Sequence, residues 1–251
     1  MPYIIIVLTL FFASALQANE SSQELVSSEV PPVLLELYSS QGCSSCPPAQ
    51  EWVNQMKQSD GLWTDVIPMV FHVDYWDYLG WRDLYASRSH SQRQRSHYRI
   101  GNVNSVYTPG FVVNGMEWTG WFSGKSLPTK KSKQVAKAIL KASLTSQGIS
   151  AEYADLQGNA LNAPKINITL LGFDAETKVT RGENARRRLD EDFIVLSNQS
   201  FAYDAEKVYP WPTVDFDGGQ QAVVVWLSDD SSLQPIHAVG NYLDKGIRIN
   251  L

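Results

Sequence analysis

The chain has 251 residues, 21 Lys and Arg against 26 Asp and Glu, a formal net charge of −5 and 43% hydrophobic residues. It is apolar enough to fold and too sparsely charged for disorder, its length allows one large or two modest domains, and the missing basic run argues against a primary nucleic-acid binder. Two cysteines share one four-residue window, which excludes a multi-disulfide scaffold and a four-cysteine zinc site.

In chain order, residues 4–15 form a mostly apolar run, short of the ~20 residues that span a bilayer. Residues 1–18 read as a secretory signal peptide cleaved after Ala18 or Ala15; an uncleaved N-terminal anchor is the alternative. The mature chain is expected to be periplasmic or secreted, with no stable membrane insertion, where disulfides persist. Residues 19–32, rich in Ser and Glu, read as a linker.

Residues 33–38 are a short apolar run that predicts a buried strand. After a break at 39–42 comes Cys43-Ser44-Ser45-Cys46-Pro47-Pro48, where a helix begins. Proline is tolerated in a first helical turn, and Ala49, Trp52, Val53 and Met56 then recur on one face. Residues 66–73 predict a second strand, and an aromatic, charged loop leads into a helix at 89–98. Thr108-Pro109 introduces a strand at 110–113, and Asn114-Gly115 marks a hairpin returning over 117–121. Residues 130–146 set Val135, Ile139, Ala142 and Leu144 opposite lysines, predicting a packed amphipathic helix rather than a membrane-surface one. Beyond Gln147, short runs at 149–153, 165–171, 192–197 and 222–227 predict a mostly β second unit, sandwich-like and packed on the first.

The chemistry centres on the Cys-x-x-Cys pair. A helix N-terminus carries partial positive charge and unpaired amides, which favour a thiolate at Cys43. Cys46, one turn later, is near enough to attack the resulting mixed disulfide. On this redox reading Cys43 attacks and Cys46 resolves. Three alternatives stay open: a structural disulfide, although a four-residue loop is an inefficient staple; a metal site needing outside ligands; and two inert thiols. Trp76, with Tyr75, Tyr78, Trp81 and Tyr85, either lines a peptide groove beside the cysteines or packs the junction between the units. His72 reads as a hydrogen-bonded core histidine. Asp74, Asp77 and Asp83 read as loop caps and arginine partners, lacking the pattern of a calcium loop. Residues 181–188, four arginines interrupted by Glu183, read as a solvated loop.

The strand at 33–38, the cysteine motif, Thr108-Pro109 and the Asn114-Gly115 hairpin resemble the thioredoxin superfamily in that order. More narrowly, residues 35–48 (LELYSSQGCSSCPP), 72–81 (HVDYWDYLGW), 107–109 (YTP) and 179–184 (VTRGEN) resemble a family of secreted bacterial proteins, domain-of-unknown-function family 1223. The resemblance implies an α/β, thioredoxin-like fold with a helical insertion over 33–148, plus a β-rich, sandwich-like domain over 149–251. It implies that Pro109 is cis and lies against the cysteines. The Thr108 backbone would offer strand-like hydrogen bonds to a substrate chain, and Glu36 would be a buried carboxylate taking the proton from Cys46. The implied activity is thiol–disulfide exchange on a protein or peptide substrate, with an unidentified redox partner. The Cys43–Cys46 disulfide is then the redox group, with no organic cofactor and no metal. The inner serines depart from common oxidoreductases and add hydrogen-bond donors without charge. The alternative is a non-catalytic binding protein: a copper-handling module, since Cu(I) suits soft sulfur ligands, or an interaction module with a permanent disulfide.

Overall fold

The computed structural model describes residues 22–128, 137–161, 164–212, 214–245 and 247; the expected signal peptide lies outside them. Among the described residues the order is β1 (Gln23–Val26), β2 (Val33–Ser39), α1 (Pro47–Asn54), β3 (Val66–His72), α2 (Arg88–Arg99), β4 (Gly110–Val113), β5 (Met116–Glu117), β6 (Ala138–Thr145), β7 (Gly148–Asp155), β8 (Pro164–Gly172), β9 (Ala175–Lys178), β10 (Arg188–Glu191), β11 (Ile194–Ala202), β12 (Gln221–Asp229) and β13 (Pro235–Tyr242). Thirteen strands against two α-helices make the described residues predominantly β.

Eight strands form one mixed sheet in the order β13-β12-β8-β11-β3-β2-β4-β5. β2 and β3 run parallel, with Leu35 opposite Pro68 and Leu37 opposite Val70. Both are buried along their whole length, because elements cover both faces, and that is why they read as unbroken apolar runs. β4 adds antiparallel to β2, and the Asn114-Gly115 turn returns the chain as β5. On the other side β11 joins β3 in parallel through the pair Ile194 and Val70.

This overturns the expected thioredoxin-like α/β fold with a helical insertion and an adjoining sandwich. The strand–helix–strand start and the helix at 88–99 are present, but C-terminal strands extend the same sheet instead of forming a neighbour. The physical reason is the free edge of β3, on which β11 docks through the bridge between Ile194 and Val70. A division at 148/149 would also cut β7 after its first residue and part it from β6, with which it forms an antiparallel hairpin, Thr145 opposite Gly148.

The expected helix at 130–146 is corrected in the same way. Residues 129–136 lie outside the described residues, and 138–145 form a strand in which Ala138, Leu140, Ala142 and Leu144 are all buried. That is a period of two. The residues read as a linker also contribute a strand: β1 pairs with β6, Leu25 opposite Ala142. The resulting three-stranded sheet β1-β6-β7 packs Leu140, Ala142 and Leu144 against Ile166, Ile168, Val223 and Val225. The alternate residues Leu171, Val224 and Trp226 join the core of β2, β3 and α1.

Candidate functional site

The site forms where β2 ends. Tyr38 is the last residue of β2 paired to β4, and the chain turns at Gln41-Gly42 into Cys43. Cys46 is the N-cap of α1, with prolines in the first turn, and its carbonyl accepts the amides of Ala49 (2.9 Å) and Gln50 (3.0 Å). Cys43 and Cys46 are joined as a disulfide.

The Thr108–Pro109 peptide bond is cis. Cys43 Sγ lies 3.9 Å from the Thr108 carbonyl oxygen and 3.3 Å from Ser45 Oγ. Trp76 donates its indole N–H to Thr108 Oγ1 at 2.7 Å. A Cβ at position 42 would meet Trp76 Cβ at 3.2 Å, so glycine there lets the tryptophan lie against the cysteine turn. Trp76 stacks on Tyr78 at 6.4 Å between centroids, and Tyr78 is 77% exposed. Cys43, Cys46, Thr108, Pro109 and Trp76 are therefore brought together.

Glu36 is not brought with them. Phe111 sits opposite Leu37 and packs on Trp52 of α1, so α1 covers the Leu37 face of β2. Glu36, one residue away, points to the other face. Arg93 of α2 grips its carboxylate with two bonds, Nε to Oε2 at 2.8 Å and Nη2 to Oε1 at 2.7 Å. The Tyr38 hydroxyl donates to Oε2 at 2.7 Å. Burial pushes this carboxyl up, but Arg93 and then His97 outweigh it and hold it well below the usual carboxylate range. A carboxylate held ionised on the opposite face is no partner for Cys46.

Sequence reasoning missed the segment between β9 and β10. Read as a solvated arginine loop, it instead covers the cysteines. Asn184, fully buried, donates to the carbonyls of Gln41 and Cys43, each at 2.9 Å. Glu183 accepts the Ser44 amide at 3.0 Å. Cys43 is 2% exposed. Replacing Asn184 by Ala is expected to cost about 1–3 kcal/mol, because two buried carbonyls lose their donor. Urea unfolding at pH 7 measures it, and a change under 0.5 kcal/mol would show that water takes over both bonds.

A second missed feature lies below the turn. Glu191, at the end of β10, accepts from Gln41 Nε2 at 2.6 Å, and the same amide reaches Thr177 Oγ1 at 3.0 Å. His72 Nδ1 lies 2.8 Å from Asp83 Oδ2, and its Nε2 lies 3.7 Å from Glu191 Oε1. Asp83 also accepts the Gln41 backbone amide at 2.7 Å and, as a loop cap, the Tyr85 amide at 2.9 Å, so its charged partner is a histidine rather than the expected arginine. Burial alone would lower His72, but Asp83 and Glu191 raise it to about 9. Burial raises Asp83, yet His72 wins and holds it low. Burial dominates at Glu191 and lifts it to about 7 against the pull of His72. The only sequence signal was Glu191 following three arginines and Leu189 late in the chain, which carries no hint of proximity to Cys46. Among the described residues no group of three or more His, Cys, Asp or Glu is arranged to hold a metal ion.

A family model described as "Protein of unknown function (DUF1223)" matches residues 34–228. No curated protein matches the chain. Among solved structures, protein AGR_C_4864 from Agrobacterium tumefaciens is 24% identical, with 90% of this chain and 99% of that chain covered and a TM-score of 0.50. HBP35 of Porphyromonas gingivalis is 14% identical, with 90% and 79% covered and a TM-score of 0.54. At these identities the likeness is one of fold.

Proposed function

We propose, for a chain that belongs to the DUF1223 family, a thiol–disulfide exchange activity carried by Cys43 and Cys46 in a periplasmic or secreted protein. The observation that carries the reading is the disulfide at the start of α1 with Cys43 Sγ 3.9 Å from the Thr108 carbonyl. An extended substrate strand bound to the Thr108 backbone would bring its sulfur alongside Cys43, and the Trp76–Tyr78 pair offers it an aromatic wall.

In the reducing direction the Cys43 thiolate attacks one sulfur of a substrate disulfide, and the other substrate sulfur leaves as a thiolate. Cys46 then displaces the first substrate sulfur from Cys43. Two electrons pass from the protein dithiol to the substrate, and the Cys43–Cys46 disulfide reforms. In the oxidising direction the same steps run backwards. Access to Cys43 requires the Glu183–Asn184 contacts to give way.

The test is trapping. A reduced Cys46→Ser variant mixed with a disulfide-bonded peptide is expected to accumulate a one-to-one adduct on Cys43, seen by mass spectrometry, while Cys43→Ser gives none. Absence of the adduct, together with a reduction potential below about −300 mV, would assign the pair to a permanent disulfide.

A further inference from the structure

Exchange at Cys43 and Cys46 leaves one proton without a destination. Cys46 must lose it before its sulfur can displace the substrate, and Glu36 is on the wrong face to receive it. The groups on the correct side are those of a crevice of about 130 Å³ lined by Cys46, Ser39, Ser40, Gln50, Asp190 and Glu191. Glu191 is 4% exposed. Gln50 Oε1, in the same lining, is buried and has no hydrogen-bond partner. His72 Nε2, 3.7 Å from Glu191 Oε1, makes no hydrogen bond either. Such a polar crevice has room to hold water.

We infer that Glu191 is the proton acceptor and donor for Cys46, acting through water held in this crevice. The inference rests on the exchange reading of the cysteines. In the reducing direction the Cys46 thiol gives its proton to the Glu191 carboxylate, and the Cys46 thiolate attacks Cys43 Sγ of the mixed disulfide. The Cys43–Cys46 bond forms as the bond to substrate breaks, and the substrate sulfur leaves as a thiolate carrying the electron pair. In the oxidising direction a substrate thiolate attacks Cys43, Cys46 departs with the electron pair, and the Glu191 carboxylic acid protonates it.

The groups facing Glu191 support this role. His72 approaches from β3, Asp83 and Tyr85 from the loop before α2, and Gln41 from the cysteine turn. Gln50 and Glu51 face the crevice from α1, and Arg188 and Asp190 from its own strand. Burial outweighs the nearby histidine and lifts Glu191 to about 7, closer to a thiol's ordinary ~8.5 than a free glutamate at ~4.3. An acid–base group works best when its pKa lies near the operating pH. The placement also gives the C-terminal half of the chain a part in the chemistry, since Glu191 and the Glu183–Asn184 cover belong to one segment.

Stopped-flow mixing of the reduced protein with a disulfide-bonded fluorescent peptide separates the two steps between pH 5 and 9. Glu191→Gln is expected to leave formation of the mixed disulfide within about twofold of wild type. Its resolution at pH 7 is expected to slow by about 100-fold, with loss of the inflection near pH 7. Resolution as fast as wild type, with the inflection kept, overturns the inference while leaving exchange intact. No exchange by wild type removes the exchange reading and this inference with it. Should circular dichroism show that Glu191→Gln does not fold, carbon-13 NMR of wild-type glutamate carboxyls decides. A titration midpoint near 7 that moves on reduction of the disulfide supports the inference, and one that stays fixed overturns it.

Discussion

An Arg93→Met variant is expected to be less stable than wild type by about 3–5 kcal/mol at pH 7. Arg93 holds both oxygens of a carboxylate only 2% exposed. It also lies 5.5 Å from the Phe71 ring of β3 and 5.7 Å from the Trp226 ring of β12, so it ties α2 to strands from both halves of the chain. Without the guanidinium, Glu36 is left as a buried charge supported only by Tyr38 and His97. Its pKa then climbs, and the loss shrinks as the pH falls towards 4 and the carboxyl takes a proton. The double variant Glu36→Leu/Arg93→Met is expected to recover much of the loss, because it removes the charge together with its partner. Urea unfolding of the three proteins decides the matter. A single variant within 1 kcal/mol of wild type would mean that Arg93 does not compensate Glu36.

Stability is expected to fall by about 3 kcal/mol as the pH rises from 5 to 9. His72 binds its proton with a folded pKa of about 9 against an ordinary value of 6.5. Its contribution is complete below pH 6.5 and is lost as the pH climbs through 9. Glu191, lifted from 4.5 to about 7, acts in the same sense: the folded protein keeps a proton that the unfolded chain has released. The two share one Coulomb interaction, so their effects do not add in full. Asp83 and Glu36, both held low, act oppositely, lowering stability only as the pH drops through and below the carboxylate range. The optimum therefore falls on the acid side of neutrality. Unfolding free energies at pH 5, 7 and 9 test this, and a curve flat or rising over that span would contradict the buried His72–Asp83–Glu191 arrangement.

What could be read from the sequence was what neighbouring residues encode. β2 and β3 were legible as apolar runs, α1 from its prolines and apolar spacing, and the β4–β5 hairpin from Asn114-Gly115. The cysteine motif drew attention to the right turn. The failures share a cause, namely that a distant partner decided the outcome. Residues 138–145 carry an apolar set that fits a helical and an alternating period alike, and their pairing with β1 and β7 selects the strand. Glu36 alternates with Leu35 and Leu37, so its parity was visible, but the side on which α1 would lie was not. Glu183, Asn184 and Glu191 meet the cysteine turn only because β9 and β10 fold back over α1, contacts that no local pattern announces. The β-rich character of the second half was legible, whereas its continuation of the first half's sheet hinges on a single parallel bridge between Ile194 and Val70.

That bridge has a thermodynamic consequence. It puts the strands from β13 to β5 in one sheet, where Leu171, Val224 and Trp226 share the apolar core of β2, β3 and α1, so the two halves of the chain have no apolar seam along which to melt separately. Loss of packing at the far edge is transmitted to the strands carrying the cysteine turn, and heat or denaturant meets one cooperative unit rather than a redox module with a detachable appendage.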